Sequence, residues 1–238
     1  MSDTPFFPGD VFAPEGSSQP VPRVFASPSR YIQGPGTITA LGRYLSLLNV
    51  RRAGILASRR GLGAEASMVI DSLRHHAIDS VSSVFPGECS ASAIEASTAE
   101  LRKGGVDVLV AVGGGKCVDA GKSVAARLGV PAVIVPTLAS NDAPCSALSV
   151  LYTDDGVTEG VEFFPANPAL VVVDTAVVAA ASERYLAAGM GDAMATWYEA
   201  KVCFENPAAR NALGGLPTVA SCALGEVCAH TLYADGVA

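Results

Sequence analysis

Histidine is scarce in this chain, and paired cysteines and long apolar runs are missing from it. Three histidines stand among 238 residues, and the six cysteines include no CxxC pair. The cysteine spacing does not suggest a disulfide framework, so we expect small core residues of a reduced, cytoplasmic protein. No apolar run reaches the roughly 18 residues that a membrane-spanning helix needs, so we expect no membrane partner.

Positive charge is also in short supply. Sixteen lysines and arginines face 23 acidic residues, which gives a net charge of −7. This balance argues against nucleic acid or an anionic membrane surface as a partner. The N-terminus lacks the basic start and apolar core of a signal peptide, which again favours the cytoplasm. Half of the residues are hydrophobic, enough for one large domain or two smaller ones.

The N-terminal part is rich in proline. Residues 1–22 carry five prolines among glycine and serine, and we predict a flexible tail without a fold of its own. Short strands are expected at 24–26 and at 31–32, followed by a first helix over 37–48.

Apolar strands and helices alternate regularly from residue 52 onward. Short apolar segments separated by helical segments of about ten to fifteen residues indicate a Rossmann-like α/β domain with a parallel sheet, here over 23–182. A hairpin is predicted over 150–164, around the turn Asp154-Asp155-Gly156. After Asp174 the chain becomes alanine-rich with helical spacing. Residues 183–238 therefore indicate the start of an all-α domain.

A buried strand followed by three glycines is the most distinctive stretch. The apolar run 108–112 is short and rich in β-branched residues, as in a strand buried on both faces. After the glycines at 113–115 come Lys116, a helical segment and a second buried strand over 132–135. Bare N–H groups at a helix start favour phosphate binding. The glycines could equally well serve only a tight turn that packs a helix on a sheet.

Two familiar phosphate motifs are excluded at this loop. A P-loop would need glycine at Val110 and serine or threonine at Cys117. The dinucleotide fingerprint GxGxxG would need glycine at Val118. Small hydroxyl residues and one carboxylate then follow the second strand, over 137–148, at the sheet edge where open α/β proteins bind ligands.

Four motifs together resemble a known family. They are GGGK…D…K, PTxAS-DAP-SALSV-Y, NP-LV-VDT and G-GDA-ATW-EA, and they resemble the glycerol dehydrogenases of the iron-containing, metal-dependent alcohol dehydrogenase superfamily. The resemblance runs from about Arg23 to the last residue. It implies a dehydroquinate synthase-like architecture, in which a coenzyme-binding α/β domain precedes a helical metal-binding domain. It also implies that residues 24–32 form a hairpin.

The resemblance assigns roles to matching positions. Asp142 would hydrogen-bond a vicinal diol, although an Asx turn before Pro144 is the ordinary alternative. Asp119 and Lys122 could simply pair with each other at helical spacing. The implied coenzyme contacts are the pyrophosphate loop Gly113, Gly114, Gly115 and Lys116, and the nicotinamide side Thr137, Ser140, Ser146, Leu148 and Tyr152.

The choice of coenzyme depends on the residues after the strand 53–57. NAD-dependent glycerol dehydrogenases usually carry an acidic residue where Ser58 stands. Its loss beside Arg59 and Arg60 would suit the 2′-phosphate of NADP, unless these arginines are solvated surface charges. The resemblance keeps NAD as the expected coenzyme, with NADP as the alternative.

Asp192 lies in a mostly apolar helical segment, 188–200. A carboxylate there is costly unless it is paired or binds a metal, and composition alone favours a capping or salt-bridged residue. The resemblance implies instead that Asp192 is one ligand of a catalytic Zn²⁺ site with two histidines, which would hold the substrate as an alkoxide for hydride transfer.

The histidines depart from the family pattern. His75 and His76 are adjacent, so on a helix they point about 100° apart and cannot share a metal. His230 lies where the family places no ligand. We therefore expect both histidine ligands beyond Ala238, in a helical domain that this chain contains only in part, and we expect the 238 residues alone to be inactive.

The expected function is NAD-dependent oxidation of glycerol, a small polyol, to dihydroxyacetone, by a protein that forms homo-oligomers at full length. A glycerol-1-phosphate dehydrogenase or a cyclising synthase related to dehydroquinate synthase is the alternative within the superfamily. A non-catalytic nucleotide-binding protein is the alternative from another class.

Overall fold

Residues 5–236 are described by a computed structural model, and their central feature is a six-stranded parallel sheet. The strand order in this sheet is β1-β8-β5-β4-β2-β3, and β6 pairs with β7 as a separate antiparallel hairpin. The predicted parallel α/β sheet and the predicted hairpin are therefore confirmed. The strands are β1 (Tyr31–Gly34), β2 (Arg52–Ser58), β3 (Asp79–Phe85), β4 (Val108–Gly113), β5 (Ala132–Pro136), β6 (Leu148–Tyr152), β7 (Thr158–Phe163) and β8 (Leu170–Asp174).

Helices connect the strands and continue after the last of them. Short 3₁₀ turns at Thr37–Ala40 and Ser46–Leu48 extend α2 on both sides, so the first predicted helix consists of three pieces. Of the helices described, none has the length and apolarity needed to cross a membrane. The helices are α1 (Gly9–Phe12), α2 (Leu41–Leu45), α3 (Arg59–Leu62), α4 (Glu65–His75), α5 (Ala91–Gly104), α6 (Gly115–Leu128), α7 (Thr175–Ala179), α8 (Glu183–Glu205) and α9 (Val219–Asp235).

The central strand β4 explains why the sheet is covered on both faces. Val108 to Val112 are all at most 1% exposed, so both sides of this strand must pack against other elements. Helix α6 packs closely on β4 because Gly121 has no side chain. A Cβ at this position would collide with the side chain of Ala111. The helix ends at Gly129, which adopts the left-handed conformation typical of a C-terminal cap.

The N-terminal region differs from the prediction at the first strand. Residues 24–26 form no strand; instead the N–H of Val24 donates to the carbonyl of Leu216, and a guanidinium N–H of Arg23 donates to that of Pro217. β1 pairs in parallel with β8. The predicted hairpin over 24–32 was wrong, because these segments find partners far along the chain.

Residues 5–22, predicted as a flexible tail without a fold of its own, show some local structure, and their flexibility stays a prediction. They contain the helical turn α1, and the ring of Phe7 packs edge-on against Phe163, with 5.6 Å between the ring centroids. Gly9 is buried. These contacts give the segment a defined place beside β7. Residues 1–4 of the predicted tail lie outside the described part.

The C-terminal segment is helical, as predicted. α8 and α9 pack on each other, with Gly225 of α9 close to Trp197 of α8. Thr218 caps α9 through a reciprocal hydrogen-bond pair with Ser221. A domain boundary near Ser182 stays a prediction.

Candidate functional site

A ligand-sized cavity lies where the order of the strands reverses. The chain passes from β2 to β3 on one side and then returns to β4 on the other side of β2. Open parallel sheets bind ligands at such a switch point, outside the carboxyl ends of the strands. The cavity measures about 1020 Å³, and its wall includes Ser58, Arg60, Gly61, Glu65, Gly113, Gly114, Gly115, Lys116, Thr137, Leu138, Ser140, Asn141, Asp142, Ser146, Leu148, Tyr152 and Tyr185.

The structure thus brings the sequence-predicted site residues together. Every one of them lines this cavity except Asp192, which contacts the cavity loop from α8. Their roles toward a ligand stay predictions. The sequence did not predict that Glu65 and Glu88 belong to the site. Glu65 pairs with Arg60 and Glu88 pairs with Lys116, and local spacing reveals neither pair.

The glycine loop joins β4 to α6. The N–H of Thr137 donates to the carbonyl of Gly113 at 3.0 Å, which ties the loop to the end of β5. A Cβ on Gly114 would lie 2.9 Å from Leu138, and one on Gly115 would lie 2.6 Å from the amide of Asn141. The glycines therefore serve close packing.

The same glycines leave the start of α6 bare. No described side chain caps this helix, so its first-turn N–H groups have no side-chain acceptor there, and Gly115, Lys116 and Cys117 of this turn line the cavity. Tight packing and anion binding, which the sequence posed as alternatives, are compatible in this geometry.

Lys116 is already engaged in an ion pair. Its Nζ lies 2.5 Å from Oε2 of Glu88 and 4.5 Å from the ring centroid of Tyr152. The lysine charge at the glycine loop is therefore partly compensated. A phosphate at the loop would compete with Glu88 for this cation.

The end of β2 carries a second ion pair. Oγ of Ser58 accepts the N–H of Gly61 at 3.1 Å and caps α3. The guanidinium of Arg60 lies 2.9 Å from Oε1 of Glu65. Arg60 lines the cavity, whereas Arg59 does not.

The loop after β5 brings the two predicted catalytic carboxylates together. The backbone N–H of Asp142 donates to Oδ2 of Asp192 at 3.0 Å. Partial desolvation and the Asp192 carboxylate raise the pKa of Asp142. The Asx turn in this loop is formed by Asn141, whose Oδ1 accepts the N–H of Ala143.

Asp119 and Lys122 form a buried ion pair beneath this loop, with 2.9 Å between Oδ1 and Nζ. The ammonium also donates to the carbonyl of Ala143 at 2.8 Å and to Oγ of Ser146 at 2.9 Å. Burial raises the pKa of Asp119 and lowers that of Lys122. The predicted pairing is present, and it additionally anchors the loop that carries Asp142.

A metal site is not complete in residues 5–236. Within this range no three histidine, cysteine or acidic side chains come together. Nδ1 of His75 and of His76 contact the carbonyl oxygens of Asp71 and Ser72 in their own helix. Asp192 contacts the backbone of the diol candidate Asp142, and it would supply a single ligand.

Fold and site together define a doubly wound α/β protein with a ligand cavity at its switch point. Residues 28–175 match the iron-containing alcohol dehydrogenase family, and the chain belongs to that family.

Similar proteins agree with this assignment. The chain is 42% identical over 90% of its length to a glycerol dehydrogenase of Escherichia coli O6:H1. It matches the crystal structure of a probable glycerol dehydrogenase from Sinorhizobium meliloti 1021 with TM-score 0.81 and 40% identity, covering 90% of this chain and 58% of that one. It also matches the crystal structure of glycerol dehydrogenase from Schizosaccharomyces pombe with TM-score 0.84 and 34% identity. This match covers 90% of this chain and 54% of that one. The resemblance seen in the sequence motifs is confirmed.

The match covers only part of these proteins. The chain spans 58% of the length of the E. coli relative. The activity and partners of the whole proteins are therefore carried over only as proposals.

Proposed function

We propose that this chain is the coenzyme-binding part of a dehydrogenase that oxidises glycerol to dihydroxyacetone, with NAD as hydride acceptor. The observation that carries the proposal is the bare start of α6 in a cavity at the switch point of the sheet. The 42% identity to a glycerol dehydrogenase supports the substrate class.

The cavity fits a dinucleotide in its chemistry. The glycine loop offers N–H groups to a pyrophosphate, and the end of β2 with Ser58 offers the place for the adenosine half. Thr137, Ser140 and Tyr152 also line the cavity, and we propose them for the nicotinamide half. When bound, the coenzyme supplies the acceptor for the hydride removed from the carbinol carbon. The protein residues bind and orient the two reactants.

Asp142 is the residue proposed to recognise the diol. Its carboxyl lines the cavity, and its loop is held from below by Lys122 and from the side by Asp192. A carboxylate can accept hydrogen bonds from two neighbouring hydroxyls. This arrangement favours glycerol over alcohols with a single hydroxyl.

The described residues do not fit a complete zinc site, because Asp192 is joined by no second and third ligand there. Zn²⁺ with two histidines remains an expectation from the family resemblance. A single metal ligand, Asp192, among the described residues also favours the second candidate, which is a nucleotide-binding chain without catalysis of its own.

Titration calorimetry of the 238-residue chain with NAD⁺ tests the proposal. Gly115→Ala is expected to weaken NAD⁺ binding at least about tenfold, because its Cβ would displace Asn141 and narrow the loop. Gly160→Ala is the matched control, since a Cβ there meets no atom within 4 Å. Equal binding by both variants would contradict the glycine-loop assignment.

An assay with glycerol separates the two candidates. Reduction of NAD⁺ by glycerol, with and without added Zn²⁺, would identify the chain as a dehydrogenase. Coenzyme binding without turnover under both conditions would support the nucleotide-binding alternative for these residues.

A further inference from the structure

Glu65 stands at the end of the cavity formed by β2 and α3. It is the first residue of α4 and lines the cavity together with Ser58 and Arg60. Its side chain is 17% exposed, whereas that of Arg60 is 75% exposed. The carboxylate is thus the inner partner of this ion pair, and the guanidinium is the outer one.

The two oxygens of this carboxylate differ. Oε1 is held by Arg60 at 2.9 Å, while Oε2 is buried and receives no hydrogen bond from any residue that the structure describes. A buried acceptor without a donor is costly. Glu65 itself lines the cavity, so a ligand that brings a hydrogen-bond donor to this end, and toward which the carboxylate turns, would give Oε2 the partner that it lacks.

The chemistry of that donor is restricted. A ribose diol carries hydroxyl groups that can donate to a carboxylate. A 2′-phosphate carries no donor at neutral pH and is repelled by the negative charge.

We infer that Glu65 recognises the unphosphorylated adenosine ribose and makes the cavity selective for NAD over NADP. The inference rests on the proposed coenzyme function and names the residue that decides its specificity. Glu65 thereby takes the acidic role that Ser58 leaves open, because Oγ of Ser58 is used to cap α3.

Arg60 has a different role from the one that the sequence suggested. Beside Ser58 it indicated a site for a 2′-phosphate, but its guanidinium is paired with Glu65. As long as this pair holds, the charge of Arg60 is compensated, and an incoming phosphate would have to displace a carboxylate to reach it.

The test compares dissociation constants for NAD⁺ and NADP⁺ by titration calorimetry on the full 238-residue chain. Glu65→Gln is expected to weaken NAD⁺ binding and to strengthen NADP⁺ binding, because it removes the carboxylate and frees Arg60. The ratio of the two constants should change in favour of NADP⁺ by about tenfold or more. The control Glu95→Gln, an exposed glutamate on α5 that does not line the cavity, should leave the ratio unchanged.

Arg60→Gln provides a second variant that keeps Glu65 in place. It should retain the preference for NAD⁺ over NADP⁺, because the carboxylate of Glu65 is still present. An unmodified chain that prefers NADP⁺ and loses this affinity in Arg60→Gln would overturn the inference and assign the site to the 2′-phosphate.

The outcomes also separate this inference from the proposed function. Binding of NAD⁺ with an unchanged ratio in Glu65→Gln would overturn only the role of Glu65. Failure of the unmodified chain to bind either coenzyme would overturn both. Thermal unfolding of each variant, followed by circular dichroism, shows that the binding data come from folded protein.

Discussion

The parallel sheet and the C-terminal helix pair differ in what covers their apolar side chains. In the sheet, Val108 to Val112 of β4 are all buried. Among the described residues of α8 none is buried, and in α9 only Gly225 and Ala229 are. The sheet therefore has a closed core, whereas the helix pair is held mainly by its own mutual contacts.

This difference divides the candidate site as well. The glycine loop, Ser58 and Glu65 lie on elements fixed by the closed core. Asp192 lies on α8 and reaches the cavity through one hydrogen bond to the loop of Asp142. Gly189 permits this approach, because a Cβ there would collide with the carbonyl of Ala139. The proposed coenzyme side is thus built on the part with the closed core, and the carboxylate expected to bind a metal lies on the exposed part.

The largest effect is expected at Lys122. Lys122→Met leaves the Asp119 carboxylate buried without its cation and frees the loop at Ala143 and Ser146, so the free energy of unfolding should fall by about 3–5 kcal/mol. Urea denaturation followed by circular dichroism measures the loss. Lys201→Met is the control from the other region, since Lys201 is exposed on α8.

Two outcomes would decide this comparison. The double variant Asp119→Leu with Lys122→Met should recover part of the stability, because no unpaired charge remains. Equal stability of Lys122→Met and Lys201→Met would show that the buried pair does not hold the loop.

A smaller and pH-dependent effect is expected at Asp174, which ends β8 and is 1% exposed. Although burial acts to raise it, hydrogen bonds from the N–H groups of Ile38, Gly36, Val177 and Ala176 hold the pKa of Asp174 below its ordinary value. A lowered pKa contributes stability that is present above the unfolded value of about 3.9 and is lost as the pH falls through the folded value.

Asp174→Asn should therefore cost about 2 kcal/mol near neutral pH, and the difference should shrink at acidic pH. Denaturation curves collected from neutral pH down to about pH 3 measure it. Asp235→Asn, at the exposed end of α9, should show no such trend. A difference from the unmodified chain that stays constant with pH would argue against charge-assisted hydrogen bonds at Asp174.

The sequence predicts the sheet well because burial leaves a local pattern. Short apolar segments placed β2, β4 and β5 close to their observed bounds. β1 was placed in a hairpin, although it pairs with β8, about 140 residues away (Tyr31 with Val171). Parallel pairing is not encoded locally, since the partner strand can lie anywhere along the chain.

The site was predictable where residues are adjacent in sequence and not where they act in pairs. The glycine loop and the loop of Asp142 stand out as motifs. Glu88 lies 28 residues before Lys116, and no spacing rule connects the two. Glu65 follows Arg60 by five residues, across the break between α3 and α4, so a helical spacing rule does not find it.

Substitutions on the exposed face of the helix pair should have the smallest effect on stability. Their effect on association between molecules should be easier to detect. Val202 and Val227 are 65% and 61% exposed, and apolar patches of this kind favour contact between molecules. Replacing both by serine should change the free energy of unfolding by no more than about 0.5 kcal/mol. The apparent mass in light scattering should fall. Val84→Ser, at an exposed position of β3, is the matched control and should leave association unchanged. If the unmodified chain is a monodisperse monomer at every concentration, the exposed faces do not drive association. The sheet and the helix pair would then differ only in how far their apolar side chains are buried.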